Sequence, residues 1–243
     1  MARIFITGSA DGLGLLSAKS LISQGHHVAL HARNASRGKD ALKNVPGAEA
    51  VFVGDLSDIH ETIQLCENVN ASGSFDVIIH NAGVYRDNGK RIFAVNTLAP
   101  YILTNLITLP KRLIYLSSGM HMQGQPNFQY FKKDIDQITY SDSKLHVLIL
   151  ALAVARRKPD VYSNAVNPGW VPTKMGGKGA PDDLRKGYET QTWLAISDEE
   201  SARVSGKYFH HLKERSYNPV GDDVTVQEEF LSLCREITGI AFQ

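Results

Sequence analysis

The sequence predicts an α/β protein: one doubly wound parallel sheet of about seven strands, with helices on both faces. Three observations predict it. Short β-branched runs alternate with stretches of helical periodicity along the chain, the signature of βαβ units. Several of those runs are nearly all apolar, as strands covered on both faces must be. With 243 residues, 43% of them hydrophobic, the chain can bury one large core. No internal repeat, low-complexity linker or compositional break marks a second domain, so residues 1–243 read as a single domain.

In chain order, the first strand is expected at Ile4–Thr7, within RIFIT, and leads into a helix at about Leu13–Gln24. The strand His27–His31 precedes a helix over Ser36–Asn44, and Ala50–Val53 precedes one over Asp58–Asn70. Asp76–His80 is followed by a helix over Arg91–Thr108, and Arg112–Leu116 by one over Ile138–Arg157. Ser163–Val166 leads to a helix at Asp182–Ala195, and a last short strand near Gly206–His210 precedes a terminal helix around Thr225–Thr238. Period-2 or wholly apolar runs mark the strands, and apolar spacing of three and four marks the helices.

Bulk properties exclude several classes. A formal net charge of +1 provides no global field to recruit nucleic acid or a membrane surface. The doublets Arg156–Arg157 and Lys132–Lys133 read as solvated helix ends or faces. Cys66 and Cys234 lie in amphipathic patterns, where buried thiols are the rule, and form no close pair for a disulfide or zinc. None of the nine histidines shows the i, i+4 spacing with a nearby acid that a helical zinc site uses, so no metal is expected. The start runs directly into RIFIT without a signal-like segment, and the longest apolar run, LHVLILALAVA, is shorter than the ~20 residues that span a bilayer. A soluble, cytoplasmic protein without a membrane span is the expectation.

In doubly wound sheets ligands sit beyond the carboxyl ends of the strands, so the strand exits carry the functional information. The first exit reads TGSADGLG over residues 7–14. Gly8, Gly12 and Gly14 let the backbone turn sharply and let a pyrophosphate approach without meeting a Cβ. The following helix would aim its amides and positive dipole end at that anion. Taken alone, the stretch suits either a dinucleotide site or a plain Gly-rich turn, since its spacing differs from G-x-G-x-x-G. At the second exit, His31-Ala32-Arg33-Asn34, no acid awaits ribose hydroxyls and Arg33 offers a fork of donors for a 2′-phosphate. NADP(H) is therefore expected over NAD(H), with Asp11 as a counterweight if its charge lies near that phosphate. Asp55-Leu56 and Asn81-Ala82-Gly83 follow the third and fourth strands and would be ordinary turns in isolation.

Near the middle stands YSDSK, residues 140–144. With nine tyrosines and 14 lysines in the chain, about half a Tyr-x-x-x-Lys pair is expected by chance, so the pair needs its context. The context is an ordered series: TGSADGLG, Asp55-Leu56, NAG at 81–83, Asn96 in FAVNTLAP, Ser117–Ser118 in LIYLSSG, YSDSK, and PGWVPT at 168–173. Together these motifs resemble the short-chain dehydrogenase/reductase family, from residue 4 to about 175 and weakly beyond.

The resemblance implies a Rossmann-type fold, an NADP(H)-dependent interconversion of carbonyl and alcohol, and a role for each matching residue. Tyr140 would be the proton donor, with Lys144 on the same helix face lowering its pKa from ~10. Ser118 would position the carbonyl, and Asn96 would support a proton relay to Lys144. Gly8, Ser9, Asp11, Gly12, Leu13, Gly14, Arg33, Asn34, Asp55, Leu56, Asn81, Ala82 and Gly83 would line the cofactor. Tyr140 and Lys144 would also reach it. Pro168, Gly169, Val171 and Thr173 would line its nicotinamide end. The family's oligomers imply a homodimer or homotetramer through the helices of Asn96 and Tyr140, where LHVLILALAVA leaves apolar surface to bury.

Two departures bear on the substrate. Twenty-two positions separate Ser118 from Tyr140, a longer gap than in many members and similar to the retinol dehydrogenase and carbonyl reductase branches. The intervening 119–139 segment suits a packed cover or a substrate wall equally. Residues 174–200 open with the Gly-rich KMGGKGAPDD, which suits a mobile lid or a surface loop. Met120, Met122, Phe128, Tyr130, Phe131, Trp170 and Trp193 suggest a hydrophobic or aromatic ketone. The competing readings are a catalytically silent dinucleotide sensor or scaffold and an epimerase, the latter expecting more than the ~70 residues after Thr173.

Overall fold

The computed structural model describes residues 1–242. One eight-stranded sheet runs in the order β3-β2-β1-β4-β5-β6-β7-β8. Its parallel strands are β1 (Arg3–Ile6), β2 (His27–Ala32), β3 (Ala50–Val53), β4 (Val77–His80), β5 (Arg112–Leu116), β6 (Tyr162–Asn167) and β7 (Lys207–His210). A two-residue β8 (Lys213–Glu214) turns back antiparallel to β7. The order reverses between β1 and β4, and Ile6 lies beside both Leu30 and Ile79. The exits of β1, β2 and β4 therefore open side by side, which is where such a sheet holds a ligand.

The alternation along β1 shows why both faces are covered. Ile4 and Ile6 pack with Leu21 of α1 (Gly12–Ser23) on one face, while Phe5 packs with Phe52, Phe75 and Leu65 on the other. All three strand residues are fully buried. The first face also carries α2 (Ala35–Asn44) and α8 (Leu184–Ile196). The second carries α3 (Ile59–Ala71), α4 (Gly89–Phe93), α5 (Ala99–Leu106), the single turn α6 (Tyr130–Lys133), α7 (Tyr140–Arg157) and α9 (Val224–Thr238).

Three expectations are adjusted. The helix expected over Arg91–Thr108 begins at Gly89 and is interrupted by a π turn over Ala94–Leu98 that contains Asn96. Pro100 cannot donate to the carbonyl four residues back, that of Asn96, which relaxes the α-helical ladder there. The helix expected from Ile138 starts at Tyr140, because Thr139 caps it: its hydroxyl accepts from the Asp142 amide while Asp142 accepts from the Thr139 amide. The β7–β8 hairpin had no sequence signal, since its two turn residues, His211 (φ 49°) and Leu212 (φ 64°), take left-handed backbone without being glycine.

The 119–139 segment is mainly cover. Phe128, Phe131 and Ile138 are buried in the core, with Phe131 edge-on to Phe93 at 4.5 Å, and only Gly119 and Met120 reach the cleft beside Tyr140. The apolar run of α7 is likewise covered from within the chain. Gly221 packs against Leu148 and Leu152, Phe230 and Cys234 of α9 are buried in the same core, and Glu228 pairs with both Arg156 and Arg157. The Tyr101 hydroxyl of α5 donates to the Ile240 carbonyl at 2.7 Å. The apolar surface that pointed to a homo-oligomer is thus buried by α9. No helix among the described residues is long and apolar enough to cross a membrane.

Candidate active site

The Gly-rich loop is held from three sides. Gly8 (φ 62°) passes so close to the β4 exit that a Cβ there would lie 2.8 Å from the Ala82 Cα. The Asn81 amide donates to the Thr7 and Gly8 carbonyls at 2.9 and 3.2 Å, and the Ala82 amide donates to the Thr7 hydroxyl at 3.0 Å. His31, at the end of β2, accepts from the Gly8 amide at Nδ1 (2.9 Å) and donates from Nε2 to the Gly54 carbonyl (2.9 Å). Burial lowers its pKa to about 4, keeping it neutral as those two opposite roles require. His31 entered the sequence reading only as a strand end, because both partners of this brace lie 23 residues away.

The expected cofactor residues divide accordingly. Ser9 is fully buried, its hydroxyl donating to the Ile6 carbonyl and accepting from the His31 amide. Gly14 backs onto Asn81, where a Cβ would meet the amide nitrogen at 2.4 Å. Both shape the loop from behind. Gly12 (φ 55°) instead faces open space, and Asp11 at the N-cap of α1 makes no side-chain cap. The first amides of α1 are therefore left for an anion.

These exits line a cavity of about 310 Å³ that includes Gly8, Asp11, Gly12, Leu13, Arg33, Asp55, Leu56, Ala82 and Gly83. Asn34 does not line it; its side chain caps α2 by accepting from the Arg37 amide at 3.0 Å. Arg37 does line it, as does Lys174, and neither was expected. The Asp11 carboxylate takes Arg37 at 2.7 Å and Lys174 at 3.5 Å. At Asp55 burial pushes the carboxyl up, but hydrogen bonds from the Ser57 amide and hydroxyl, helped by Arg91 and Arg33, hold it below the usual range.

Tyr140 and Lys144 sit one turn apart on α7, below this cavity. Lys144 is buried, donates to the Leu116 carbonyl at 2.7 Å and has its ammonium 5.5 Å from the centre of the Tyr140 ring. Burial lowers the lysine to about 8. Burial also pushes Tyr140 up to about 12, against a hydrogen bond with Ser118, while Tyr85 edge-on at 4.7 Å adds to the rise. The expectation that Lys144 holds Tyr140 below its free value is thus corrected: desolvation outweighs the hydrogen bond with Ser118. Gly83 passes beside Lys144 and Asn96, where a Cβ would come within 3.3 Å of the Lys144 Nζ and 3.4 Å of the Asn96 Oδ1. The π turn aims Asn96 there; it donates to the Val84 carbonyl and the Ser143 hydroxyl and accepts from the Val84 amide.

Ser118 sits at the β5 exit. Its carbonyl accepts from the Nδ1 of fully buried His121 at 2.6 Å, and the His121 Nε2 accepts from the Asn218 amide. Beyond it opens a second cavity, of about 540 Å³, sharing Leu13, Ser117, Tyr140, Pro168, Thr173 and Met175 with the first. Tyr140 stands at the junction of one continuous cleft. Met120, Trp170, Tyr85 and Met175 wall the second part, with His210 and Asp182 as polar members and Gly169 and Val171 along its edge. Of the other expected aromatic and methionine contacts, Phe128 and Phe131 are core, Met122 is exposed, and Trp193 packs on Phe209. Residues 175, 176 and 182 are the part of 174–200 that reach this wall, while α8 packs on α1.

A nucleotide-shaped exit cluster joined at a tyrosine to a mostly apolar second cavity is the plan of an oxidoreductase on a dinucleotide-binding fold. The family model described as short chain dehydrogenase matches residues 2–183, and the chain belongs to that family. An oxidoreductase of Emericella nidulans is 45% identical over 257 residues, covering 99% of this chain and 98% of the relative. The short-chain dehydrogenase chyC of Penicillium rubens is 40% identical over 255 residues, covering 99% and 98%. A crystal structure of a Mycobacterium paratuberculosis protein shares the fold, with a TM-score of 0.84, 22% identity and coverage of 100% and 95%.

Proposed function

We propose that the chain is an NADP(H)-dependent carbonyl reductase acting on a small hydrophobic or aromatic ketone or aldehyde. One observation carries the reading: Tyr140, with its proton held by a pKa pushed up to about 12, stands where the two cavities meet, beside Ser118 and over Lys144.

The dinucleotide fits what the chain offers. Gly8 and Gly12 leave a cradle that side chains would narrow or strain, the free α1 amides suit a pyrophosphate, and Arg33 and Arg37 suit a 2′-phosphate. When bound, the reduced nicotinamide supplies hydride. The chain's residues do the rest. Ser118 and Tyr140 donate hydrogen bonds to the carbonyl oxygen, polarising it and holding it at the junction. As the alkoxide develops, Tyr140 gives up its proton. The buried Lys144 ammonium, one helical turn away, then faces the tyrosinate, and its opposite charge stabilises it. Asn96, through three hydrogen bonds, ties the Val84 main chain to Ser143 of α7 beside Lys144. At neutral pH Tyr140 is in the protonated form that reduction needs, so reduction is the direction proposed. With α9 over α7, the reading is of a chain that works without a second copy.

The test is NADPH consumption across a panel of alkyl and aryl ketones and aldehydes, with nucleotide binding measured alongside. Turnover of some of these that is lost in Tyr140→Phe supports the proposal. Nucleotide binding with no turnover on any of them returns the chain to the silent sensor reading.

A further inference from the structure

We propose that Asp11 is an internal anion that competes with the 2′-phosphate of NADP(H) for Arg37, and so limits how strongly the site prefers NADP(H) over NAD(H). The inference rests on the NADP(H) reading above.

The first observation is a cap that is not made. Aspartate at a helix N-cap ordinarily accepts from amides two or three residues on, and Asp58, Asp183 and Asp223 all do so in this chain. Asp11 holds the N-cap of α1 with extended backbone and makes no such bond. The second is where its carboxylate goes instead. It takes the Arg37 guanidinium from α2 at 2.7 Å and the Lys174 ammonium from the segment after β6 at 3.5 Å. All three residues line the first cavity together with Arg33. One carboxylate thus gathers two of the cations at the edge of the proposed nucleotide site.

The consequence differs between the two nucleotides. Their pyrophosphates meet the same Gly12 turn, so any repulsion from Asp11 there cancels in the comparison. The 2′-phosphate does not cancel. To use Arg37 it must draw the guanidinium from Asp11 or share it, and in either case two like charges are left near each other. NAD(H) leaves the pair undisturbed. The side chains are 40% and 41% exposed, so the pair is screened and displaceable: it attenuates the preference rather than blocking NADP(H).

Isothermal titration of the full chain with NADP⁺, NAD⁺ and 2′,5′-ADP tests this. Asp11→Asn and Asp11→Ala should each tighten NADP⁺ and 2′,5′-ADP by about tenfold while moving NAD⁺ by less than about twofold. Agreement between the two separates charge from new capping by asparagine, and thermal melts check that both variants fold. Arg37→Gln should weaken NADP⁺ selectively and, combined with Asp11→Asn, erase most of the gain. An unchanged NADP⁺ to NAD⁺ ratio in both Asp11 variants, or equal tightening of both nucleotides, overturns the inference and leaves the NADP(H) reading standing. A wild-type chain that binds neither nucleotide overturns that reading, and this inference with it.

Discussion

The Lys144 ammonium lies 5.5 Å from the centre of the Tyr140 ring, one helical turn away, and donates its hydrogen bond to the Leu116 carbonyl. The two groups are displaced in opposite directions by the same cause. Burial costs whichever form is charged, so the lysine falls to about 8 and the tyrosine rises to about 12. The pair therefore holds a neutral acid beside a buried cation at neutral pH, a state poised to become tyrosinate and ammonium once the proton leaves.

Removing the acid tests this directly. Tyr140→Phe keeps the ring that packs on Tyr85 and deletes only the hydroxyl. Carbonyl reduction should drop by about 10²–10⁴-fold. NADP⁺ affinity measured by titration should stay within about threefold, because the proposed nucleotide contacts lie mainly on other residues. Near wild-type turnover would remove Tyr140 from the mechanism.

The lowered lysine makes a second, pH-resolved prediction. Lys144 binds its proton less tightly in the folded chain (about 8) than an ordinary lysine, which titrates at 10.5. The unfolded chain therefore holds more protons between those values, and the contribution of this group to stability rises with pH across that window. Chemical denaturation of wild type and Lys144→Met from pH 7 to 10.5 should show wild type gaining on the variant by on the order of 3 kcal/mol. A difference that stays flat over that range would mean the ammonium is not buried as the structure has it. Reduction by wild type should also fall as pH rises through about 8, when the charge facing the tyrosinate is lost.

The strands and the chain order of Asn96, Ser118, Tyr140 and Lys144 could be read from sequence because each is local: an apolar run, a Gly-rich exit, a pair at i and i+4. What could not be read depends on distant contacts. His31 reaches Gly8 and Gly54, 23 residues away in each direction, and His121 reaches Asn218, 97 residues on. Nothing near either histidine in the sequence names its partner. Arg37 was missed for a subtler reason. Asn34 was read as a ligand when its local chemistry is that of a cap, and the cap is what places Arg37 in the first turn of α2. The tyrosine's direction of shift was missed because burial, unlike spacing, is a property of the whole fold.

The Gly8 turn offers a third prediction. Gly8 combines φ 62° with a backbone neighbour at 2.8 Å from any Cβ, so Gly8→Ala is strained twice and the Ala82 main chain must move. Stability should fall by about 1–3 kcal/mol, and NADP⁺ binding by titration should weaken more than in Gly12→Ala. Gly12 shares the positive φ, but its Cβ would meet nothing within 4 Å. Equal losses in the two variants would mean that backbone strain alone, and not the contact with the Ala82 loop, sets the shape of the turn.

The last prediction concerns α9. Phe230 is fully buried against Phe128, Phe131 and His146, and Gly221 and Cys234 complete a cover over the same face of α7. Phe230→Ala should cost about 3–5 kcal/mol, the range for a buried phenylalanine whose site cannot collapse. With that face satisfied internally, the full chain should sediment as a monomer at micromolar concentration. Deleting residues 224–243 would remove Phe230 from Phe128, Phe131 and His146 together, and an uncovered apolar patch of that kind is an association surface. The truncated chain should dimerise or aggregate, whereas a point change that leaves α9 in place, such as Glu228→Gln, should stay monomeric. A full-length chain that forms a stable dimer, with Phe230 shielded no further on association, would show that self-association uses another face.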